Sequence, residues 1–227
     1  MVASLHAQGT TSSGLPAALG DLIVRRGIRM TLRAGQVLFA EGDPSTCVYC
    51  CISGRVKVFV TTPTGRDLLL GVKGPGQAFG ELSAIDRRPR SAAASAIERS
   101  VVAQLGADDF LDSLHSQPGL AVVVLRDLAD QLRRANAGVI ARDSESTSVR
   151  TANLLLELGE KFQRHSPSPA DIVLPIGQDE LASWIGATRE ATARSLATFR
   201  RAGAISTGRQ RIVLHGLGPL AALIAGA

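Results

Sequence analysis

Gly76-Gln77-Ala78-Phe79-Gly80-Glu81-Leu82-Ser83-Ala84-Ile85-Asp86-Arg87-Arg88-Pro89-Arg90-Ser91-Ala92-Ala93-Ala94 holds the chain's most specific chemistry. Gly76 and Gly80 permit sharp turns and a close approach of backbone to a bound group. The amides that follow Gly80 can line an anion-binding concavity. Arg90 offers a planar fork of donors that matches a phosphate through two contacts. Ser91 adds a hydroxyl beside it, and Glu81, acceptor-only when ionised, suits a ribose hydroxyl better than the phosphate. Together these residues describe a pocket for a small phosphate.

Outward from this stretch, Ile28 to Gly106 reads as short strands broken by glycines at Gly35, Gly42, Gly54, Gly65, Gly71 and Gly74. That rhythm predicts an all-β sandwich or roll. Val37–Phe39, Val48–Ile52 and Val56–Val60 are strand-like, and Thr62-Pro63-Thr64-Gly65 turns a hairpin between 56–61 and 66–72. Ala92–Ala96 and Val101–Leu105 continue the sheet. Leu15 to Arg26 is a short helix, opened by Pro16 and stopped by Gly27. In Cys47-Val48-Tyr49-Cys50-Cys51-Ile52 the strand alternation sends Cys50 and Cys51 to opposite faces. Adjacent strand residues do not readily share a metal. His6, His115, His165 and His215 are all remote in sequence, so no metal site is expected. Buried free thiols are the expectation, with a redox sensor built on Cys47, Cys50 or Cys51 as the alternative.

A short helix over Asp108–Leu114 precedes a long one that Pro118 opens and that runs to about Arg142. Ala121, Leu125, Leu128, Leu132, Ala135 and Val139 recur at alternating intervals of four and three. That heptad stripe, with Arg126, Asp127, Asp130, Arg133 and Arg134 beside it, predicts pairing with a second copy of the helix. Polar residues 143–148 break the stripe and read as a hinge. Val149 to Phe162 is helical again, and His165 to Pro169 is an exposed loop.

From Asp179 to Arg194 the spacing is that of two helices joined at Gly186, with Thr188 placed to cap the second. On a wheel of ~100° per residue, Arg189, Glu190, Ala193 and Arg194 share one sector, and Thr192, Leu196 and Phe199 fall outside it, on the other side of Arg189. Arginine is the best reader of guanine O6 and N7, and glutamate accepts from cytosine N4. A helix that presents such residues near its N-terminus has helix-turn-helix geometry. Beyond Gly186, Arg189, Arg194, Arg200, Arg201, Arg209 and Arg211 face the single acid Glu190, a surplus suited to phosphate. Ile205 to Leu214, turning at Thr207-Gly208, reads as a β-wing.

The 227 residues, with 25 Lys and Arg against 20 Asp and Glu, are basic enough to favour nucleic acid as a partner. No apolar run approaches the ~20 residues of a membrane span. Met1 to Gly14 lacks the pattern of a secretion signal and reads as a disordered tail, so a cytoplasmic protein is expected. No acid–base pair, nucleophile–base set or metal spacing points to an enzyme.

Phe79-Gly80-Glu81-Leu82-Ser83, followed by Pro89-Arg90-Ser91-Ala92, resembles the phosphate-binding cassette of cyclic-nucleotide-binding domains. Thr188-Arg189-Glu190 with Arg194 is similar to the recognition helix of the Crp/Fnr family of regulators, most closely its cyclic AMP-responsive members. The resemblance spans about Gly20 to Leu214. It implies an α+β chain: an N-terminal cyclic-nucleotide-binding β-roll (15–117), a long dimerisation helix (118–142), a hinge (143–148) and a C-terminal winged helix-turn-helix (149–227). It implies cyclic AMP as allosteric ligand, held by Gly80, Glu81, Leu82, Arg90 and Ser91. The adenine would meet the long helix, where Ala135 stands in place of the family's usual threonine. Asn136 follows, and its amide has both a donor and an acceptor for the base; its other reading is a polar residue that marks register beside the stripe. Arg189, Glu190 and Arg194 match base-reading positions and Thr188 a phosphate-contacting one, with a TGTGA-like half-site. A homodimer would then read double-stranded DNA as an inverted repeat with half-sites about 34 Å apart. RNA polymerase is the further implied partner, through the loop after His165.

Overall fold

The computed structural model describes residues 15–163 and 171–225; the expected N-terminal tail and the loop 165–170 lie outside them. In chain order the elements are α1 (Leu15–Arg26), β1 (Ile28–Leu32), β2 (Val37–Phe39), β3 (Cys47–Ser53), β4 (Val56–Thr61), β5 (Asp67–Lys73), β6 (Ala78–Phe79), α2 (Glu81–Asp86), β7 (Ala93–Ala96), β8 (Ser100–Gly106), α3 (Ala107–Ser116) and α4 (Pro118–Ser144). They continue with α5 (Thr147–Gln163), β9 (Ile172–Leu174), α6 (Gln178–Trp184), α7 (Arg189–Arg201), β10 (Ile205–Gly208), β11 (Arg211–Leu214) and α8 (Gly218–Ala225). The predicted α+β architecture is found: a roll, a long helix and a winged helix-turn-helix.

Two antiparallel four-stranded sheets form the roll, in the orders β1-β8-β3-β6 and β2-β7-β4-β5. Strand β3 explains how the roll is packed. Cys47, Tyr49 and Cys51 face the roll interior with Leu32, Phe39, Phe79 and Val102. Val48 and Cys50 face the opposite way, into a second core with Leu19 and Ile23 of α1, Phe110 of α3 and Val123 and Val124 of α4. Strand alternation with both faces buried accounts for the unbroken apolar run.

Helix α4 serves two surfaces. Leu120, Val123 and Val124 are buried against the roll, and Leu128 packs on the same core. Leu128 of the predicted stripe is thus partly covered by the chain's own roll. Leu125, Leu132, Val139 and Ile140 are 63–67% exposed in the single chain.

The helix break expected over 143–148 is narrower. Ser144 stays helical because its hydroxyl donates to the Ile140 carbonyl at 2.9 Å, satisfying the polar side chain within the helix. Only Glu145 and Ser146 break the path, and the Ser146 hydroxyl accepts from the Val149 amide at 3.3 Å to start α5. The wing also turns later than expected. Ile205 pairs with Leu214 and Gly208 with Arg211, so the turn falls on Arg209-Gln210, with Gln210 at φ +55°. Buried Ile205, Ile212 and Leu214 hold this register by keeping their apolar face inward.

The C-terminal half has its own core, built from Leu155, Leu158, Ile172, Leu174, Leu181, Trp184, Leu196 and Phe199, and Val72 of the roll joins it. Polar contacts complete the joint. Arg55, 6% exposed, donates to the Lys161 carbonyl at 2.8 Å and lies 3.7 Å over the Phe162 ring. A roll arginine thus caps the C-terminal end of α5, where cations are favoured. Lys57 pairs with Glu180 of α6 at 2.9 Å and with Asp67 at 3.6 Å, and Ser183 donates to the Asp67 carbonyl.

Candidate nucleotide pocket and nucleic-acid interface

The first site forms where the 76–94 stretch closes over β3. Gly80, at φ +78°, caps the short helix α2 in a conformation few side chains adopt. An added Cβ would lie 2.7 Å from Arg90 Nη1. Arg90 Nη1 donates to the Gly80 carbonyl at 2.8 Å, and Nη2 donates to the Cys47 carbonyl at 2.6 Å. The guanidinium sits 4.3 Å from the centroid of Phe39 and 5.4 Å from that of Tyr49. Phe39, Tyr49 and Phe79 stack behind it, with Tyr49 5.5 Å from each neighbour. The residue's backbone is pinned as well, since Arg90 N donates to Asp43 O and Gly42 N to Arg90 O.

The electrostatics of this corner are one-sided. Arg90 is 4% exposed, its Nε is buried without a hydrogen-bond partner, and among the described residues its side chain meets carbonyls and a thiol but no carboxylate. The adjoining phenol cannot supply the charge, because burial and its hydrogen bond with the Cys47 thiol hold Tyr49 protonated far above the usual range. Glu81 is buried beside the same turn, but its Oε1 accepts from Gln131 Nε2 of α4 at 2.9 Å. The stretch therefore presents a buried cation in need of an acceptor and, next to it, a carboxylate with one oxygen engaged.

Gly80, Glu81 and Arg90 come together as the sequence predicts. Leu82 and Ser91 are exposed on the rim, Leu82 at 43%. Asn136 is exposed on α4, with no side-chain partner among the described residues. Gln131 is invisible to sequence reasoning: a lone polar residue flanking a heptad stripe carries no signal of a contact with Glu81.

The second site is the surface of α7. Thr192, Ser195, Leu196 and Phe199 are buried, while Thr188, Arg189, Glu190 and Arg194 are exposed on the opposite side. Thr188 caps the helix by accepting from the Ala191 amide at 3.2 Å. The Glu190 carboxyl is held below its ordinary range, first by its own backbone amide and then by the Thr188 hydroxyl, Arg189 and Arg194. Gly186, at φ +64°, makes the turn from α6. Arg200, Arg201, Arg209 and Arg211 are exposed around the helix and the wing, and Arg200 is tied to Thr207 across them. Arg189 is not free in this arrangement: its Nε and Nη2 donate to the two carboxylate oxygens of Asp179 on α6. The surface carries donors for phosphates and base edges at the N-terminal end of a packed helix, which is what a major-groove reader needs.

Comparison with known proteins covers both sites. Residues 29–117 match the cyclic nucleotide-binding domain family, and residues 149–223 match the Crp-like helix-turn-helix domain family. The chain is 33% identical over 169 residues to the CRP-like cAMP-activated global transcriptional regulator of Mycobacterium tuberculosis, covering 74% of this chain and 75% of that one. It is 31% identical over 195 residues to the cyclic AMP receptor protein of Thermus thermophilus, covering 86% and 87%. The solved structure of FixK2 from Bradyrhizobium japonicum shares the fold, with a TM-score of 0.73 at 22% identity over 87% of this chain and 96% of that one. Among the described residues no helix is long and apolar enough to cross a membrane.

Proposed function

The chain belongs to the Crp/Fnr family of transcription regulators, and on that premise we propose that it is a cyclic AMP-responsive regulator acting in the cytoplasm as a homodimer on an inverted repeat of TGTGA-like half-sites. The observation that carries this reading is the uncompensated burial of Arg90. Burying a charge costs several kcal/mol, and the flanking aromatic rings offset only part of it. A bound phosphate supplies both the missing charge and an acceptor for the unpartnered Nε. Both relatives are named for cyclic AMP, which favours it among cyclic nucleotides.

In this reading the phosphate meets Arg90, Ser91 and the amides after Gly80. The ribose hydroxyl meets the second oxygen of Glu81, Leu82 packs at the rim, and Asn136 offers its amide to the adenine. The exposed Leu125, Leu132 and Val139 are covered by a second copy of α4. Thr188 meets a phosphate of the DNA, while Arg189, Glu190 and Arg194 meet base edges. Contact with RNA polymerase would follow at the promoter. The ligand acts by binding one arrangement of α4 more tightly than another, since only differential affinity shifts such a balance.

The test is a calorimetric titration of cyclic AMP and cyclic GMP into the chain and into Arg90→Ala, followed by binding of a TGTGA-N6-TCACA duplex with and without ligand. Saturable cyclic AMP binding, weakened by at least about a hundredfold in the variant and strengthening DNA binding, is the expected result. Absence of heat with either nucleotide would remove cyclic AMP from the reading.

A regulator of the same fold answering to another ligand is the second reading, favoured by Ala135 and Asn136 in place of a hydroxyl at the base-contacting position. A thiol-based version built on Cys47, Cys50 or Cys51 is disfavoured: all three are buried, and the Cys47 thiol is engaged with the Tyr49 hydroxyl. Cys50 and Cys51 lie in separate cores, and burial raises their pKa values to about 11 and about 12, so both stay protonated and unreactive near neutrality.

A further inference from the structure

We propose that Asp179 is a positioning residue that fixes Arg189 for guanine and so sets the base preference of this chain; the inference rests on the reading of Arg189 as a base-reader. A guanidinium is planar and has two usable edges. On Arg189 the side edge, Nε and Nη2, is occupied by the two oxygens of Asp179. The end edge, Nη1 with the second hydrogen of Nη2, has no partner among the described residues. That end edge still offers two parallel donors, which can pair with guanine O6 and N7.

The support behind the carboxylate is rigid. Asp179 stands in the first turn of α6, whose Leu181 and Trp184 are buried and whose Glu180 is paired with Lys57 of the roll. An unheld arginine has many rotamers and loses that freedom when it engages a base. Clamped to α6, Arg189 has lost it beforehand. Exposure argues for the same role: the two side chains are 71% and 65% exposed, so the pair adds little to folding stability. An acid at the start of the first helix, the one that crosses the DNA backbone, also opposes phosphate. Its presence there raises discrimination while lowering affinity for any sequence.

The test selects sites from a randomised duplex pool with the full chain and saturating cyclic AMP. It then measures binding of the selected site, of single-base-pair variants and of random DNA by wild type, Asp179→Ala, Asp179→Glu, Arg189→Ala and the Asp179→Ala/Arg189→Ala double variant. Expected is a loss of about five- to tenfold in preference at one G·C pair in Asp179→Ala. The same position should be affected in Arg189→Ala, with no further loss in the double variant. Random-DNA binding should tighten in Asp179→Ala, and Asp179→Glu, which keeps both acceptors, should recover part of the preference. If Arg189→Ala selects the wild-type motif, the base-reader assignment fails, and this inference with it. If Arg189→Ala loses the preference while Asp179→Ala keeps it, or if Asp179→Ala tightens the cognate site more than random DNA, the positioning role alone is overturned. Unchanged circular dichroism and melting of Asp179→Ala exclude misfolding as the cause.

Discussion

Gln131 Nε2 donates to Glu81 Oε1 at 2.9 Å, joining the long helix to the turn after Gly80 across fifty residues of sequence. The same amide donates to Asp127 Oδ2 at 2.8 Å, so its orientation is fixed from its own helix. A ligand that takes the free oxygen of Glu81 therefore acts on a group already tied to α4.

Glu81→Gln and Gln131→Ala should separate binding from its transmission. Glu81→Gln removes the charge opposite the proposed ribose hydroxyl, and cyclic AMP affinity should fall about tenfold or more. Gln131→Ala should leave affinity within a few-fold but reduce the ligand's effect on DNA binding by about fivefold or more, the scale of a typical coupling. Calorimetry and DNA titrations with and without cyclic AMP read both quantities. Equal losses in both assays for Gln131→Ala would place it in binding alone.

The outward stripe of α4 makes a second prediction. Leu125 and Leu132 are 65% and 63% exposed in the single chain, so a glutamate at either position is tolerated by the fold. In a paired helix the same change buries a charge at the seam. Leu125→Glu/Leu132→Glu should sediment as a monomer, with an unchanged melting temperature at low concentration. Its affinity for a full inverted repeat should drop by about a hundredfold, because the second half-site no longer binds intramolecularly. A wild-type chain that sediments as a monomer would contradict the pairing.

Alkaline pH supplies a third. Burial lifts the Cys50 thiol to about 11, helped by Asp21, and burial together with the neighbouring Cys50 lifts Cys51 to about 12. The unfolded chain ionises near 9, so above that pH it releases protons that the folded chain retains. The stability these thiols contribute is therefore complete below pH ~9 and lost as pH rises towards 11 and 12. Melting temperature should fall over this range less steeply in Cys50→Ala and Cys51→Ala than in wild type. At pH 8 a colourless-to-coloured thiol reagent should label neither residue until the chain is unfolded. Rapid labelling of the native protein would show that one of them is activated.

Features encoded by local spacing were legible without coordinates. The Gly80–Ser91 turn, the alternation of Cys47 to Cys51 and the two faces of α7 each follow from residues within one or two turns of each other. Heptad spacing on α4 gives the period of its apolar face but not the destination of each residue: it cannot say whether Leu128 meets a partner helix or its own roll, and the roll covers part of it. The length of the break after α4 is not legible because serine and aspartate usually leave helices, whereas the Ser144 hydroxyl bonds the Ile140 carbonyl and stays helical. Contacts such as Gln131 with Glu81, Lys57 with Glu180 and Arg55 with the end of α5 join distant charged or polar side chains. They have no periodicity, so nothing in the sequence announces them.

The joint between the halves has a consequence for recombination. Arg55 is shaped to the Lys161 and Phe162 carbonyls, Lys57 to Glu180 and the Asp67 carbonyl to Ser183. A reader half grafted onto the roll of a relative would arrive with an uncapped α5 and an orphaned Glu180, and Asp179 next to it would inherit whatever tilt α6 then took. The portable unit is consequently larger than the helix-turn-helix: a graft that keeps its DNA preference must carry Arg55 and the β4–β5 hairpin that follows it.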